Sequence, residues 1–329
     1  MTATAVLFPG QGEQRPGMLH HLPPEADDLL DQARHTLGIH PLTLDSASAL
    51  AETTAAQLAL LIAGAAWYRT AQRRGLHADH LAGHSVGLWT AAVAAHALDF
   101  TDGLLLVRLR GATMRAASPA DAGMLVIDGP GLAVVDAAAT ALRDAGHHVW
   151  ASNANSPSQT TASGTEHGLR MLARELEMAG ARVRRLAVTV PAHSPLMAPA
   201  AQRLRTALRS VRLRNPATPI AGSVTGQTIV TADRLRRELA DNVEHGVRWD
   251  MATAILTERG VDRWIQMPPG RSLAGLVPGG TAYAMADLGL DEVIRLTSRP
   301  GPPLRPTASP ARERMRPAPD GPVRRGAGR

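Results

Sequence analysis

The chain has 329 residues, no cysteine and a formal net charge of +6. The lack of cysteine excludes disulfides, thiolate metal sites and a cysteine nucleophile, and it favours a reducing, cytoplasmic compartment. The charge comes from residues 298–329, where eight Arg stand against two acidic residues, and only 3% of the chain is aromatic. This composition does not favour a nucleic-acid partner.

The N-terminal segment predicts the start of an α/β domain. Residues 4–8 form a short apolar run that stops at Pro9-Gly10-Gln11-Gly12, which is typical of a buried strand followed by a tight loop. Residues 53–68 then carry apolar side chains at helical spacing. Because the first eight residues have neither a basic start nor a long apolar run, we expect no secretory signal and no membrane span.

The next segments repeat this order. Residues 80–82 and the turn Gly83-His84-Ser85-Val86-Gly87 indicate a strand, a glycine-flanked turn and a helix, and residues 102–117 indicate an amphipathic helix. The alternation predicts an α/β fold with a hydrolase-like parallel sheet covered on both faces.

Smaller elements between residues 123 and 190 follow the order βαββαβ, which is typical of a ferredoxin-like domain. We therefore predict a large α/β domain made of residues 1–122 and 191–297, with a small ferredoxin-like domain inserted at 123–190. Residues 298–329 are rich in Pro, Gly, Ala and Arg without apolar periodicity, so they are predicted to be a disordered tail.

The glycine-flanked turn offers a candidate nucleophile, Ser85. A serine on a strained strand-to-helix turn is held clear of the backbone, but its hydroxyl needs a base within hydrogen-bond reach, and histidine has a suitable pKa. His84 adjoins the serine and would point elsewhere, whereas His193 lies at a strand exit before a helix. Read locally, His193 is more simply a solvent-facing loop histidine.

Acyl transfer would also need donors for a developing oxyanion. The Val86 N–H at the helix start and the side-chain amide of Gln11 are placed for this, although Gln11 can equally be an ordinary turn residue. Arg110 lies within an amphipathic helix, where arginine is usually a surface group. Only a carboxylated substrate would explain burying it.

Together these motifs resemble the malonyl-CoA:acyl carrier protein transacylases and related acyltransferase domains of fatty-acid and polyketide synthesis. The matching stretches occur in family order over about residues 4–285. They are Phe8-Pro-Gly-Gln-Gly12, Gly83-His-Ser-Val-Gly87, Leu109-Arg-Gly-Ala-Thr-Met114, Asn153-Ala-Asn-Ser-Pro157, Val190-Pro-Ala-His193, Val247-Arg-Trp249 and Pro268-Pro-Gly270.

The resemblance implies a malonyl-serine mechanism. In it, Ser85 is the nucleophile, His193 is the base, and Gln11 and the Val86 amide form the oxyanion hole. The implied substrate is malonyl-CoA, the implied acceptor is an acyl carrier protein, and no metal and no permanently bound cofactor are implied.

The resemblance also assigns three supporting residues. Arg110 would hold the malonyl carboxylate in a bidentate ion pair. Asn155 would lie near the active-site cleft as a substrate-binding residue, and the backbone carbonyl of Arg248 would orient the histidine where other families use an aspartate.

Several pieces look like one branch of the family, the transacylase (epsilon) subunit of biotin-independent malonate decarboxylase, which loads malonyl onto a carrier subunit with a coenzyme-A-like prosthetic group. Other malonate decarboxylase subunits would then be partners. The pieces are Arg15-Pro-Gly-Met-Leu19, Leu44-Asp-Ser46, Gln57-Leu-Ala-Leu-Leu-Ile62, Val93-Ala-Ala-His-Ala-Leu-Asp-Phe100 and Met267-Pro-Pro-Gly270. The departures from the family pattern are Leu88, Ala192, Gln266 and Pro268, and none removes a group that the mechanism requires.

Three alternatives remain open from the sequence. A discrete acyltransferase of fatty-acid or polyketide synthesis would share every catalytic residue. A serine hydrolase or thioesterase would share the turn and would use an Asp between Ser85 and His193. A structural subunit with a decayed site would need none of these residues.

Overall fold

The structure, a computed structural model, describes residues 3–297, in which strands and helices alternate. The strands are β1 (Ala3–Phe8), β2 (His80–Gly83), β3 (Ala122–Asp128), β4 (Val149–Ser156), β5 (Gln159–Thr165), β6 (Arg182–Arg185), β7 (Ile220–Ala221), β8 (Thr228–Ile229), β9 (Val247–Arg248), β10 (Val261–Gln266) and β11 (Thr281–Ala284). The α-helices are α1 (Asp27–Leu37), α2 (Ala47–Leu50), α3 (Thr53–Arg73), α4 (Gly87–Ala94), α5 (Phe100–Ala117), α6 (Leu132–Asp144), α7 (Glu166–Met178), α8 (Ala198–Arg209), α9 (Ala232–Asp241), α10 (Trp249–Glu258), α11 (Met285–Leu288) and α12 (Leu290–Thr297). Short 3-10 helices lie at Pro24–Ala26, Pro41–Asp45, Pro195–Met197 and Leu273–Leu276.

The larger sheet has the strand order β11-β10-β1-β2-β7-β8 among the described residues. Every neighbouring pair in it is parallel except β7 with β8. Side chains of the central strand β1 alternate between two apolar cores, with Val6 and Phe8 in one and Ala5 and Leu7 in the other, and all four are fully buried. The predicted parallel sheet with two covered faces is therefore confirmed.

The register of this sheet brings two loops together. Phe8 at the end of β1 pairs with Gly83 at the end of β2. Because the strands are parallel, the loop after β1, which carries Gln11, and the turn after β2, which carries Ser85, emerge at the same sheet edge.

The smaller sheet has the order β6-β3-β5-β4-β9. Its first four strands form antiparallel pairs, and α6 and α7 cover an apolar core that includes Val135, Leu169 and Leu172. This is the predicted ferredoxin-like arrangement. The fifth strand, β9, pairs in parallel with β4 and comes from later in the chain, so residues 123–190 alone do not complete the sheet.

Two elements after the smaller sheet's second helix are short or divided. The last strand of the βαββαβ order is only Arg182–Arg185, and the helical segment after His193 is divided into a 3-10 turn and α8. The division into domains at 123 and 190 stays a prediction. The tail, residues 298–329, lies outside the described residues. Within residues 3–297, none of the helices has the length and apolar character needed to cross a membrane.

Candidate active site

Ser85 stands on a tight turn between β2 and α4. Its φ of 53° lies in the left-handed region, where non-glycine residues are strained. The glycines on either side permit this turn, because a Cβ on Gly83 would overlap the backbone of Gly87 and a Cβ on Gly87 would overlap the Phe8 carbonyl. The turn thus presents the serine at the carboxyl edge of the sheet.

His193 is the hydrogen-bond partner of this serine. The Ser85 Oγ and the His193 Nε2 are 2.8 Å apart, although 108 residues separate them in the chain. The other ring nitrogen, Nδ1, lies 2.5 Å from the backbone carbonyl oxygen of Asn242. Because a carbonyl oxygen only accepts, Nδ1 carries the proton and Nε2 is left to accept the proton of the serine hydroxyl.

The carbonyl that orients His193 belongs to Asn242, so the prediction that Arg248 supplies it is wrong. Arg248 lies in β9, where it pairs with Ala154, and its N–H donates to the Ser223 carbonyl at 2.5 Å. Its guanidinium binds Asp250 at 2.8 Å. The carbonyl that contacts the histidine lies instead in the turn that follows α9, seven residues before Trp249.

Arg110 is the third side chain at this point, and only 1% of it is exposed. Its Nη2 donates to the Ser85 Oγ at 3.2 Å and to the Asn242 Oδ1 at 3.4 Å. Its Nε has no partner, and no carboxylate of residues 3–297 forms an ion pair with it. A buried cation without a counter-ion is costly, so this guanidinium is suited to an anionic ligand.

Burial governs the protonation of both groups. Desolvation lowers the pKa of Arg110 to about 9, so the guanidinium is still charged at neutral pH. Desolvation, the charge of Arg110 and the nearby His84 lower the pKa of His193 to about 3. The imidazole is therefore neutral at pH 7 and can accept a proton.

The predicted oxyanion donors lie close to the serine. The Val86 N–H precedes the first turn of α4, and within residues 3–297 it donates to no backbone acceptor. Gln11 lines the same cavity as Ser85, and its Oε1 accepts a hydrogen bond from Gln57 Nε2 at 3.4 Å, which leaves its own amide N–H groups free to donate. The oxyanion-hole roles stay predictions.

Asn155 connects the smaller sheet to the serine turn. Its Oδ1 accepts from His84 Nε2 at 3.0 Å, and its Nδ2 donates to Gln159 Oε1 at 3.0 Å. His84 is thereby held away from the Ser85 hydroxyl. Asn155 lines the cavity, but both ends of its amide are already bonded within the protein, and its contact with substrate stays a prediction.

One cavity of about 340 Å³, between the carboxyl edge of the larger sheet and the smaller sheet, is lined by Gln11, Ser85, Arg110, Asn155 and His193. Residues 6–277 match the family described as the acyl transferase domain. The chain belongs to this acyl transferase family.

Two relatives match this acyl transferase domain over most of their length. The chain is 34% identical over 285 residues to the malonyl CoA-acyl carrier protein transacylase of Bacillus subtilis, and the match covers 84% of this chain and 90% of the relative. It is 33% identical to the enzyme of that name from Escherichia coli K12, with 84% and 92% covered.

Two solved structures also superpose on most of this chain. The FabD structure from Acinetobacter baumannii superposes with a TM-score of 0.86 at 28% identity, covering 90% of this chain and 98% of that one. A malonyl-transacylase in complex with a type II polyketide acyl carrier protein superposes with a TM-score of 0.81 at 32% identity, covering 86% and 94%.

Two residues of the site in this acyl transferase domain were not predicted. Gln57 is 1% exposed, lies on α3 and lines the cavity, and its Oε1 has no hydrogen-bond partner among the described residues. A polar residue within an apolar helix was the available signal. Asn242 bonds both His193 and Arg110, but its position directly after α9 carries no local indication of either contact.

Proposed function

We propose that this chain transfers malonyl from malonyl-CoA to an acyl carrier protein through a malonyl-serine intermediate. The observation that carries the proposal is the buried Arg110, whose charge has no carboxylate partner within residues 3–297 and lies 3.2 Å from a serine hydroxyl bonded to histidine. A malonyl thioester offers both the carbonyl for the serine and the carboxylate for the arginine.

In the first step, the Ser85 Oγ attacks the thioester carbonyl and its proton moves to His193 Nε2. The Asn242 carbonyl holds the opposite ring proton and stabilises the imidazolium that forms. The Val86 N–H and Gln11 would bind the oxyanion. When the carbon–sulfur bond breaks, His193 returns the proton to the coenzyme A thiolate, and malonyl stays on the serine.

The second step runs the same chemistry in reverse. The thiol of the carrier gives its proton to His193 and attacks the malonyl-serine carbonyl. The carbon–oxygen bond then breaks and His193 returns the proton to Ser85, so the enzyme is regenerated. Arg110 holds the malonyl carboxylate through both steps.

A serine hydrolase with an acid-containing triad is not favoured by this geometry. Within residues 3–297, His193 is oriented by a backbone carbonyl and no carboxylate forms an ion pair with it. A hydrolase of esters that carry no carboxylate would also have no use for an unpaired, buried arginine beside its nucleophile.

The deciding experiment is the intact mass of the protein after mixing with malonyl-CoA. We expect a malonyl adduct that is absent in Ser85→Ala and that disappears when a carrier protein with a free thiol is added, with malonyl recovered on the carrier. Release of free malonate without loading of the carrier would support a hydrolase instead. No adduct and no turnover would support a structural subunit.

We also propose a narrower role, as the transacylase subunit of a malonate decarboxylase. Its support is the set of short sequence pieces around residues 15–19, 44–46, 57–62, 93–100 and 267–270. The test compares malonyl transfer to a carrier with a coenzyme-A-like prosthetic group and to a carrier of fatty-acid or polyketide synthesis with phosphopantetheine. Faster loading of the latter would overturn the narrower role and leave malonyl transfer intact.

A further inference from the structure

The turn at residues 241–245 holds His193 from its buried side. The carbonyl of Asn242 accepts from the His193 ring at 2.5 Å, and the carbonyl of Val243 accepts from the His193 backbone N–H at 2.9 Å. Both turn residues are fully buried. One short turn therefore fixes the ring and the backbone of the base.

The solvent side of the same turn is bound by an arginine outside the cavity. Arg205 of α8 donates from Nε and Nη2 to Asp241 Oδ1, at 3.3 and 2.8 Å, and its Nη2 also binds Glu244 Oε1. Only 34% of the Arg205 side chain and 13% of the Glu244 side chain are exposed. The bond to Asp241 is the largest cause that raises the pKa of Arg205.

We propose that Arg205 is a positioning residue for the base. Helix α8 begins five residues after His193, so Arg205 links the segment that follows the histidine to the turn that orients its ring. With these bonds removed, the Asn242 carbonyl can move away from Nδ1, and the imidazole loses the orientation that keeps Nε2 on Ser85. This inference takes from the proposed function only that Ser85 is a nucleophile activated by His193.

Arg205→Ala tests this against a matched control, Arg214→Ala. Arg214 donates to both oxygens of Asp99, at 2.8 and 3.2 Å, with 45% of its side chain exposed, and it does not line the Ser85 cavity. We expect Arg205→Ala to slow malonyl-serine formation about tenfold with an unchanged KM for malonyl-CoA. Arg214→Ala should leave the rate within about twofold, because an exposed pair contributes little.

Two readouts separate positioning from a general loss of stability. The first is the rate at which a fluorophosphonate probe labels Ser85, which needs the Ser85–His193 pair but no malonyl group. The second is the downfield proton resonance of the His193 Nδ1–H, identified by its absence in His193→Ala. We expect Arg205→Ala to slow labelling and to move this resonance upfield, with Arg205→Lys intermediate. Both readouts are made on the folded protein, so they remain valid if Arg205→Ala has a lower melting temperature than the wild type.

An unchanged labelling rate and an unchanged resonance in Arg205→Ala would overturn the proposal. If Arg205→Ala does not fold, Asp241→Asn and Glu244→Gln weaken the bonds one at a time and take its place in both readouts. Slower probe labelling in a protein that transfers no malonyl would uphold the role of Arg205 while refuting the proposed function.

Discussion

Arg110 is buried on an apolar part of helix α5. No carboxylate among residues 3–297 forms an ion pair with its charge. Its neighbours Val107 and Met114 are buried on the same helix, and its polar contacts are to neutral groups of Ser85 and Asn242. In a protein interior such a cation is retained at a cost in stability. The proposed role in binding the malonyl carboxylate would account for this buried charge.

Arg110→Ala is expected to remove the preference for malonyl-CoA over acetyl-CoA. A charged hydrogen bond contributes about 1.5–3 kcal/mol, so the ratio of the two acylation rates should fall by about 10- to 150-fold. Because Arg110 also bonds the serine, both rates can drop, and the ratio is the measurement that matters. Arg108→Ala, an exposed arginine on the same helix, should leave the ratio unchanged. An intact ratio in Arg110→Ala would remove this residue from substrate recognition.

The lowered pKa of His193 predicts how stability depends on pH. The unfolded chain protonates this histidine near pH 6.5, whereas the folded protein does so near pH 3, so between these values the unfolded state binds more protons. The stability that the neutral imidazole contributes is therefore present above pH 6.5 and is lost as the pH falls toward 3.

Urea unfolding at pH 7.5 and 5.5 measures this effect. For the wild type, His193 should account for a loss of about 1 kcal/mol in the free energy of unfolding between the two values. His193→Gln removes the titrating group, so its loss over the same interval should be smaller by that amount. Equal losses in the two proteins would mean that His193 titrates normally in the folded state.

At the scale of elements, the turn between β2 and α4 is a tightly packed junction of the site. Gly87 touches the backbone at the end of β1, and no side chain fits between them. The strained φ of Ser85 depends on this close approach. The geometry of Ser85, the proposed nucleophile, is thus set by the packing of two strands and a helix.

Gly87→Ala should lower the free energy of unfolding by about 1–3 kcal/mol, because the added methyl group overlaps the Phe8 carbonyl and forces the backbone to move. Gly279→Ala is the matched control, since a Cβ there meets no heavy atom within 4 Å. Its change should stay within about 0.5 kcal/mol. Chemical denaturation of both variants gives the comparison, and equal changes would contradict the close packing described.

Elements were predictable where a local pattern was long or bounded by glycine. The helix predicted at 53–68 is observed as Thr53–Arg73. Strands β1 and β2 were predicted from short apolar runs that stop at glycine. Helix α1 was not predicted, although its buried Leu29, Ala33 and Leu37 recur every four residues. Strand β9 has two residues and exists only by pairing with β4, so no periodicity could reveal it.

The contacts that complete the site depend on the whole molecule. Ser85 was predictable from its turn, and the resemblance to a family pointed to His193 and Arg110. The residue that orients His193, the proposed base, was not predictable, because it depends on the path of the loop between α9 and β9. The resemblance pointed to Arg248 and gave no indication that the carbonyl of Asn242 faces the imidazole instead.

The two sheets meet through a partly buried side-chain bond at the serine turn. His84 on the larger sheet donates to Asn155 on the smaller one at 3.0 Å, and its ring also packs edge-on against Trp249 at 5.6 Å. Burial lowers the pKa of His84, so the ring is neutral. Its Nε2–H has the Asn155 side-chain oxygen as its hydrogen-bond acceptor. The cleft between the sheets is held at its base by this contact.

Asn155→Ala should lower the free energy of unfolding by about 1–3 kcal/mol, because the His84 N–H of this partly buried bond is left without its acceptor. Gln159→Ala is the control. Gln159 bonds Asn155 and Asp128 at a half-exposed position where water can replace it, so its loss should cost under about 1 kcal/mol. Urea denaturation of the two variants and of the double variant measures the difference. If both single changes cost the same, the His84–Asn155 bond is not what couples the two sheets, and the apolar contacts around Trp249 must do so.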